Sequence, residues 1–235
     1  MSFGARLGIL GGTLDPVHVG HIETALAARD ALALDRILLL PSRVPPHRAQ
    51  QPSASPFHRF AMAALAVNGV EGVEVSDVEL TTAGTSYTAD TLERFHESGF
   101  RPSQIFFILG ADAFAEIETW HRYPHVLQLA NFAVVSRPGH DSHRIAEGLP
   151  ALSGRFATTT AAPANGAADT RIFVIPATTT DVSSTEIRRR LRSAEPVAGL
   201  VNETVEQHIR QHRLYQDDGS STLLHSAADH LHGQN

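Results

Sequence analysis

Cysteine is absent from the 235-residue chain. That excludes disulfides and thiolate zinc sites, and accords with a reducing compartment. A basic surplus is lacking too: 19 Lys and Arg stand against 25 Asp and Glu, a net charge of -6. Proteins that grip a nucleic-acid backbone show the opposite balance. No nucleic-acid partner is expected, and an anionic ligand must meet a local cluster of charge. No apolar run reaches transmembrane length, and the N-terminus has no signal-peptide core. The expectation is a cytoplasmic protein with no membrane partner. What the chain does have is 42% hydrophobic residues, enough for one sizeable core.

Short apolar runs alternate with amphipathic stretches. Leu7–Leu10, Ile37–Leu40, Val73–Val78, Ile105–Leu109, Phe132–Val135 and Ile172–Ile175 read as strands. Several are apolar throughout, which suits parallel strands covered on both faces. Helical patterns lie between them. Ile22–Ala28 is one. Ser55-Pro56 offers a cap and a first-turn proline before Phe57–Val67. Thr88 can cap Ala89–Glu97, which stops before Gly99. Ser183 to Glu186 reads as a capping box opening Glu186–Arg192, and Asn202 can cap a last helix running to about Arg213. The alternation predicts an α/β fold: a Rossmann-like, doubly wound parallel sheet with a small C-terminal helical part. Ala157–Thr170 reads as a surface loop. Residues 1–215 read as one domain and 216–235 as a polar tail, whose His225, His230 and His232 have no fixed geometry for a metal.

The richest stretch is Gly11-Gly12-Thr13-Leu14-Asp15-Pro16-Val17-His18-Val19-Gly20-His21. It sets a glycine turn and two histidines between a strand and a helix. Glycines let backbone N–H groups approach a ligand. A helix start presents a positive dipole end to an anion, and His18 and His21 can donate hydrogen bonds to it. A dinucleotide fingerprint fits poorly, because the glycines fall at Gly8, Gly11 and Gly12. A P-loop needs a lysine that this stretch lacks. His18-Val19-Gly20-His21 instead matches the HxGH signature of nucleotidylyltransferases. A glycine turn whose histidines merely serve the core is the plain alternative.

Nucleotidyl transfer passes through a crowded, negatively charged phosphorus centre. Catalysis is mostly positioning and charge stabilisation. Paired imidazoles at a helix start supply both, and Gly20 leaves room for a phosphate. A second anion site is offered by Ser183-Ser184-Thr185-Glu186-Ile187-Arg188, where hydroxyls and N–H groups open a helix and Arg188 follows one turn on. By itself this is also an ordinary helix cap with a surface arginine.

Further segments extend the pattern: Pro45-Pro46-His47-Arg48, Thr85-Ser86-Tyr87-Thr88, Leu109-Gly110-Ala111-Asp112, Thr119-Trp120-His121-Arg122 and Ser136-Arg137-Pro138-Gly139. In this order, from Leu7 to Tyr215, the chain resembles the bacterial nicotinate-nucleotide adenylyltransferases of the HxGH superfamily. The resemblance implies ATP along Gly11, Gly12 and Thr13, with His18, Gly20 and His21 at its phosphates. It adds Ser183, Ser184, Thr185 and Arg188 to the ATP site, and gives Gly110 and Asp112 the ribose. His18, His21, Arg48 and Arg188 are the implied catalytic set. Arg48 stands where the family usually has lysine, and it makes a planar fork rather than a point charge. Leu14 stands where phenylalanine is common.

The resemblance further implies that Trp120, the only tryptophan, stacks on a pyridine ring. Thr85 and Tyr87 are then expected at the nicotinate carboxylate, and Arg137 at the mononucleotide phosphate. The implied reaction joins ATP and nicotinate mononucleotide to give nicotinate adenine dinucleotide and pyrophosphate, by direct attack with no covalent enzyme intermediate. Mg²⁺ accompanies ATP, and no protein metal site is assigned. A homo-oligomer is compatible with the sequence. Two alternatives remain at this point. One is another HxGH transferase, acting on nicotinamide mononucleotide, phosphopantetheine or a cytidylyl donor. The other is a non-catalytic nucleotide-binding module.

Overall fold

All six apolar runs form adjacent parallel strands. The computed structural model describes residues 5–46, 52–136, 145, 147–158 and 169–216. The strands are β1 (Leu7–Gly12), β2 (Arg36–Pro41), β3 (Val73–Val75), β4 (Ile105–Gly110), β5 (Asn131–Ser136), β6 (Phe156–Ala157) and β7 (Ile172–Pro176). They make one seven-stranded sheet in the order β3-β2-β1-β4-β5-β7-β6, parallel at every pairing. The helices are α1 (Val19–Leu32), α2 (Pro56–Val67), α3 (Thr88–Glu97), α4 (Ala111–Ala115), α5 (Ser184–Arg192) and α6 (Glu203–Gln211).

The uniform apolarity of the strands has the expected cause. Alternate side chains feed two separate cores. Leu10, Ile37, Leu39, Phe106, Ile108 and Phe173 pack beneath α1, α2, α5 and α6. Leu7, Ile9, Leu38, Leu40, Phe107 and Phe132 face α3 and α4. The chain winds outward from β1 to β3, then returns to start β4 on the other side of β1. Open α/β sheets bind ligands at such a reversal, beyond the carboxyl ends of the strands. Here it lies between Gly12 and Gly110.

Several boundaries differ from the sequence expectation. The strand from Val73 stops at Val75, because the chain turns away after Ser76: Leu80 and Thr81 both donate to the Asp77 carbonyl, at 2.8 and 3.0 Å. Thr88 is the first helical residue, with Tyr87 at the cap. The last helix ends at Gln211 rather than Arg213. The expected loop from Ala157 begins inside a strand, since Ala157 pairs with Phe173 in β6. Its other end, Thr170, is buried and donates to the Leu127 carbonyl at 2.6 Å. Residues 159–168 and 217–235 lie outside the described residues. No helix among those described is long and apolar enough to cross a membrane.

Candidate active site

The loop between β1 and α1 is held from three directions. Arg59 of α2 is fully buried. Its guanidinium donates to the carbonyls of Thr13 at 2.6 Å, Ala54 at 3.2 Å and Arg43 at 3.3 Å. Asp15, also fully buried, accepts from the Ser53 and Ala54 amides at 2.9 and 3.1 Å and from the Tyr215 hydroxyl at 2.8 Å. From α5, Arg188 donates to the Asp15 carbonyl at 2.7 Å, and Ser184 Oγ donates to the Pro16 carbonyl at 2.9 Å. The second motif is thereby joined to the first, 168 residues away in sequence.

His18 caps α1, and its ring lies 3.7 Å from that of His21, centroid to centroid. The His18 amide donates to His21 Nδ1 at 3.2 Å. Nδ1 is thus an acceptor, which puts the proton of the neutral ring on Nε2. Burial, and secondarily the charge of His18, hold the His21 pKa well below the ordinary imidazole value. His21 is therefore a neutral hydrogen-bond donor near pH 7. Gly20 serves the histidines directly: a Cβ there would sit 3.2 Å from the His18 ring and 3.3 Å from Val182. Without it, the imidazole folds over the helix start.

A groove of about 1200 Å³ opens over these residues. His18, Gly20 and His21, Ser183, Ser184 and Thr185, and Gly110 and Asp112 all line it. Two helix starts, α1 and α5, converge there, and each carries a positive dipole end. Ser183 caps α5 by accepting from the Glu186 amide at 3.2 Å. The Glu186 carboxylate does not close the expected capping box; it pairs with Arg189 and Arg190 at 2.9 and 2.8 Å. Asp112 is the sole carboxylate among the described lining residues. Gly110 is the cap of α4, and Asp112 falls in its first turn.

A second cavity of about 790 Å³ shares Gly11, Leu109 and Ala113 with the first. It contains Gly12, Thr13, Ser42, Tyr87, Trp120 and His121. The Trp120 ring stands edge-on to Phe107, 5.9 Å away at 90°, while the residue stays partly exposed to the cavity. Tyr87 stacks on His121 at 4.1 Å. Ser42 is buried, and its hydroxyl has no partner among the described residues.

The structure gathers most of the expected residues around this pair of cavities. Arg188 is the exception in role: it grips the loop from behind and is absent from the described groove lining. Thr85 lines a neighbouring pocket with Glu79 and Arg94. Arg48 and Arg137 lie outside the described residues. Arg59, Ser42 and Glu79 were not foreseen, and His121 was read only as part of the Thr119–Arg122 segment, with no role of its own. Burial raises the Glu79 carboxyl pKa, partly offset by hydrogen bonds from Thr91 and Ser86. One signal was available for Arg59: it is the only charged residue in the apolar segment Phe57–Val67.

Paired imidazoles and two helix starts above the switch of a parallel sheet define a site built for phosphate chemistry. The chain's similarities agree. The cytidylyltransferase-like family profile matches residues 9–190. The chain is 37% identical over 224 residues to the probable nicotinate-nucleotide adenylyltransferase of Desulfatibacillum aliphaticivorans, covering 89% of this chain and 99% of that one. It is 39% identical over 212 residues to that of Roseiflexus sp. (strain RS-1), covering 90% and 98%. In fold it is similar to the Plasmodium falciparum nicotinic acid mononucleotide adenylyltransferase complexed with NaAD, at a TM-score of 0.67 and 16% identity over 90% of this chain and 97% of that one. The chain is thus a cytidylyltransferase-like protein. Within that class it belongs to the nicotinate-nucleotide adenylyltransferase family.

Proposed function

We infer that the protein transfers the adenylyl group of ATP to nicotinate mononucleotide, giving nicotinate adenine dinucleotide and pyrophosphate in cytoplasmic NAD biosynthesis. One observation carries this reading. A phosphate-binding groove and an aromatic cavity meet at Gly11, Leu109 and Ala113. A donor and an acceptor nucleotide can therefore lie with their phosphates touching.

In this reading residues 1–215 form one catalytic domain. ATP occupies the groove over the starts of α1 and α5, with its ribose at Gly110 and Asp112. The pyridine ring of the mononucleotide stacks on Trp120, and Thr85 and Tyr87 serve its carboxylate. An oxygen of the mononucleotide phosphate attacks the α-phosphorus. The new P–O bond forms as the bond to the β-phosphate oxygen breaks, and pyrophosphate leaves. His18 and His21 donate to the phosphate oxygens as charge builds on them. Arg188 acts at one remove, by fixing the Asp15 carbonyl and with it the loop. Arg48 and Arg137 add cationic charge for the pyrophosphate and the mononucleotide phosphate.

Mg²⁺ enters as the ATP complex and shields the phosphate charge. Asp112 is the one carboxylate among the described groove residues, so the metal would be held mainly by phosphate oxygens and waters.

The test is direct. Folded protein given ATP, Mg²⁺ and nicotinate mononucleotide releases pyrophosphate, with a higher kcat/KM for the acid than for the amide mononucleotide. No pyrophosphate with either substrate overturns the reading.

A further inference from the structure

Away from the groove, three histidines converge where α2 meets α6. His58 lies in the first turn of α2; His208 and His212 lie four residues apart on α6 and its C-cap. Helical residues four apart share a face. Their ring centroids are 5.3 Å apart for His58 and His208, 4.8 Å for His58 and His212, and 4.4 Å for His208 and His212. One nitrogen from each ring can be chosen so that all three lie within 4.8 Å of one another. The closest pair, His58 Nδ1 and His208 Nε2, is 3.1 Å apart.

These distances suit a small cation. Imidazole nitrogens about 2.0–2.1 Å from a tetrahedral Zn²⁺ lie roughly 3.3 Å from each other. His58 and His208 already stand near that separation. His212 is exposed, and a modest ring movement brings it in. The frame is firm: Met62, Ala63 and Ala66 of α2 share a buried core with Val205 and Ile209 of α6. The nearest α6 carboxylate in sequence, Glu206, is engaged by Arg210. Burial, helped by the two neighbouring rings, keeps His208 less basic than an ordinary imidazole. Neutral imidazole is the form that ligates a metal.

We propose that His58, His208 and His212 form a three-histidine site for a divalent cation of the zinc class, pinning α6 to α2. Its place in the fold gives it a consequence. Arg59, next to His58, holds the Thr13 carbonyl, and Tyr215, just beyond α6, holds Asp15. The cation braces both anchors of the phosphate-binding loop without touching substrate.

The experiment uses the untagged full chain, stripped with chelator and titrated with Co²⁺ and then Zn²⁺. Expected are one equivalent bound, visible Co²⁺ bands of tetrahedral nitrogen coordination, and a Tm rise of about 5 °C at a hundredfold excess over Kd. His58→Ala and His212→Ala each abolish the bands and the shift, while adenylyl transfer with Mg²⁺ alone is unchanged. The triple variant His225→Ala, His230→Ala, His232→Ala keeps them. The proposal is overturned by no binding at 100 μM metal, by a shift that survives both single variants, or by its loss in the tail variant. In those cases His58 and His208 share a plain N–H···N hydrogen bond. Pyrophosphate release in metal-stripped, Mg²⁺-only buffer tests the catalytic reading separately.

Discussion

Tyr215 donates its hydroxyl to Asp15 at 2.8 Å, across 200 residues of chain. Both residues are buried. Burial, and then the adjacent carboxylate, push the Tyr215 pKa far up, so the phenol stays protonated and remains a donor. Tyr215→Phe removes one hydrogen bond to a charged group, worth about 1.5–3 kcal/mol. The expected Tm loss is roughly 3–12 °C. Calorimetry of both proteins checks it, and an unchanged Tm refutes the anchoring role.

His21→Ala removes the donor that the proposed reaction places at the ATP phosphates. Losing one such donor costs about 10²–10³ in kcat where charge develops in the transition state. Circular dichroism should be unchanged and the Tm nearly so. A kcat within threefold of the parent refutes the role of His21. Gly20→Ala should fail in a related way, because its Cβ pushes against the His18 ring.

The depressed pKa of His21 has a definite sign in stability. The unfolded chain takes up this proton near pH 6.5, but the folded chain only at lower pH. Stability is therefore full above about pH 6.5 and falls as the pH drops below it. His208 contributes in the same direction. Thermal melts between pH 7.5 and 5 should show this decline, and His21→Gln should flatten it in part. An identical slope in that variant excludes His21 as a cause.

Trp120 should act on one substrate only. Removing a stacking face costs about 1–3 kcal/mol, so Trp120→Ala should raise KM for nicotinate mononucleotide roughly 5- to 150-fold. KM for ATP should move little, and Trp120→Phe should recover part of the loss. Because Trp120 is the only tryptophan, mononucleotide binding should also change the protein's intrinsic fluorescence. Equal effects on both substrates count against the aromatic cavity as the acceptor site.

Much of the sheet was legible because strands buried on both faces must be apolar throughout; β1, β2, β4, β5 and β7 all read this way. β6 was not, since two residues carry no periodicity. The groove over the starts of α1 and α5 was legible because His18, Gly20, His21 and the Ser183–Thr185 segment are local patterns tied to helix starts. Arg59 and Ser42 were hidden because each depends on surroundings distant in sequence, and the stacking of His121 on Tyr87 was hidden for the same reason. Arg188 shows the same limit in another form. Its presence was readable, but its inward grip on Asp15 depends on how α5 docks.

The Asp15–Tyr215 link also bears on the timing of synthesis. At about 5–20 residues per second, roughly 10–40 s separate the emergence of Asp15 from that of Tyr215. During that interval the nascent phosphate loop lacks its last anchor. A ribosome-bound chain can thus build most of its sheet while this loop is still one hydrogen bond short of its folded anchorage.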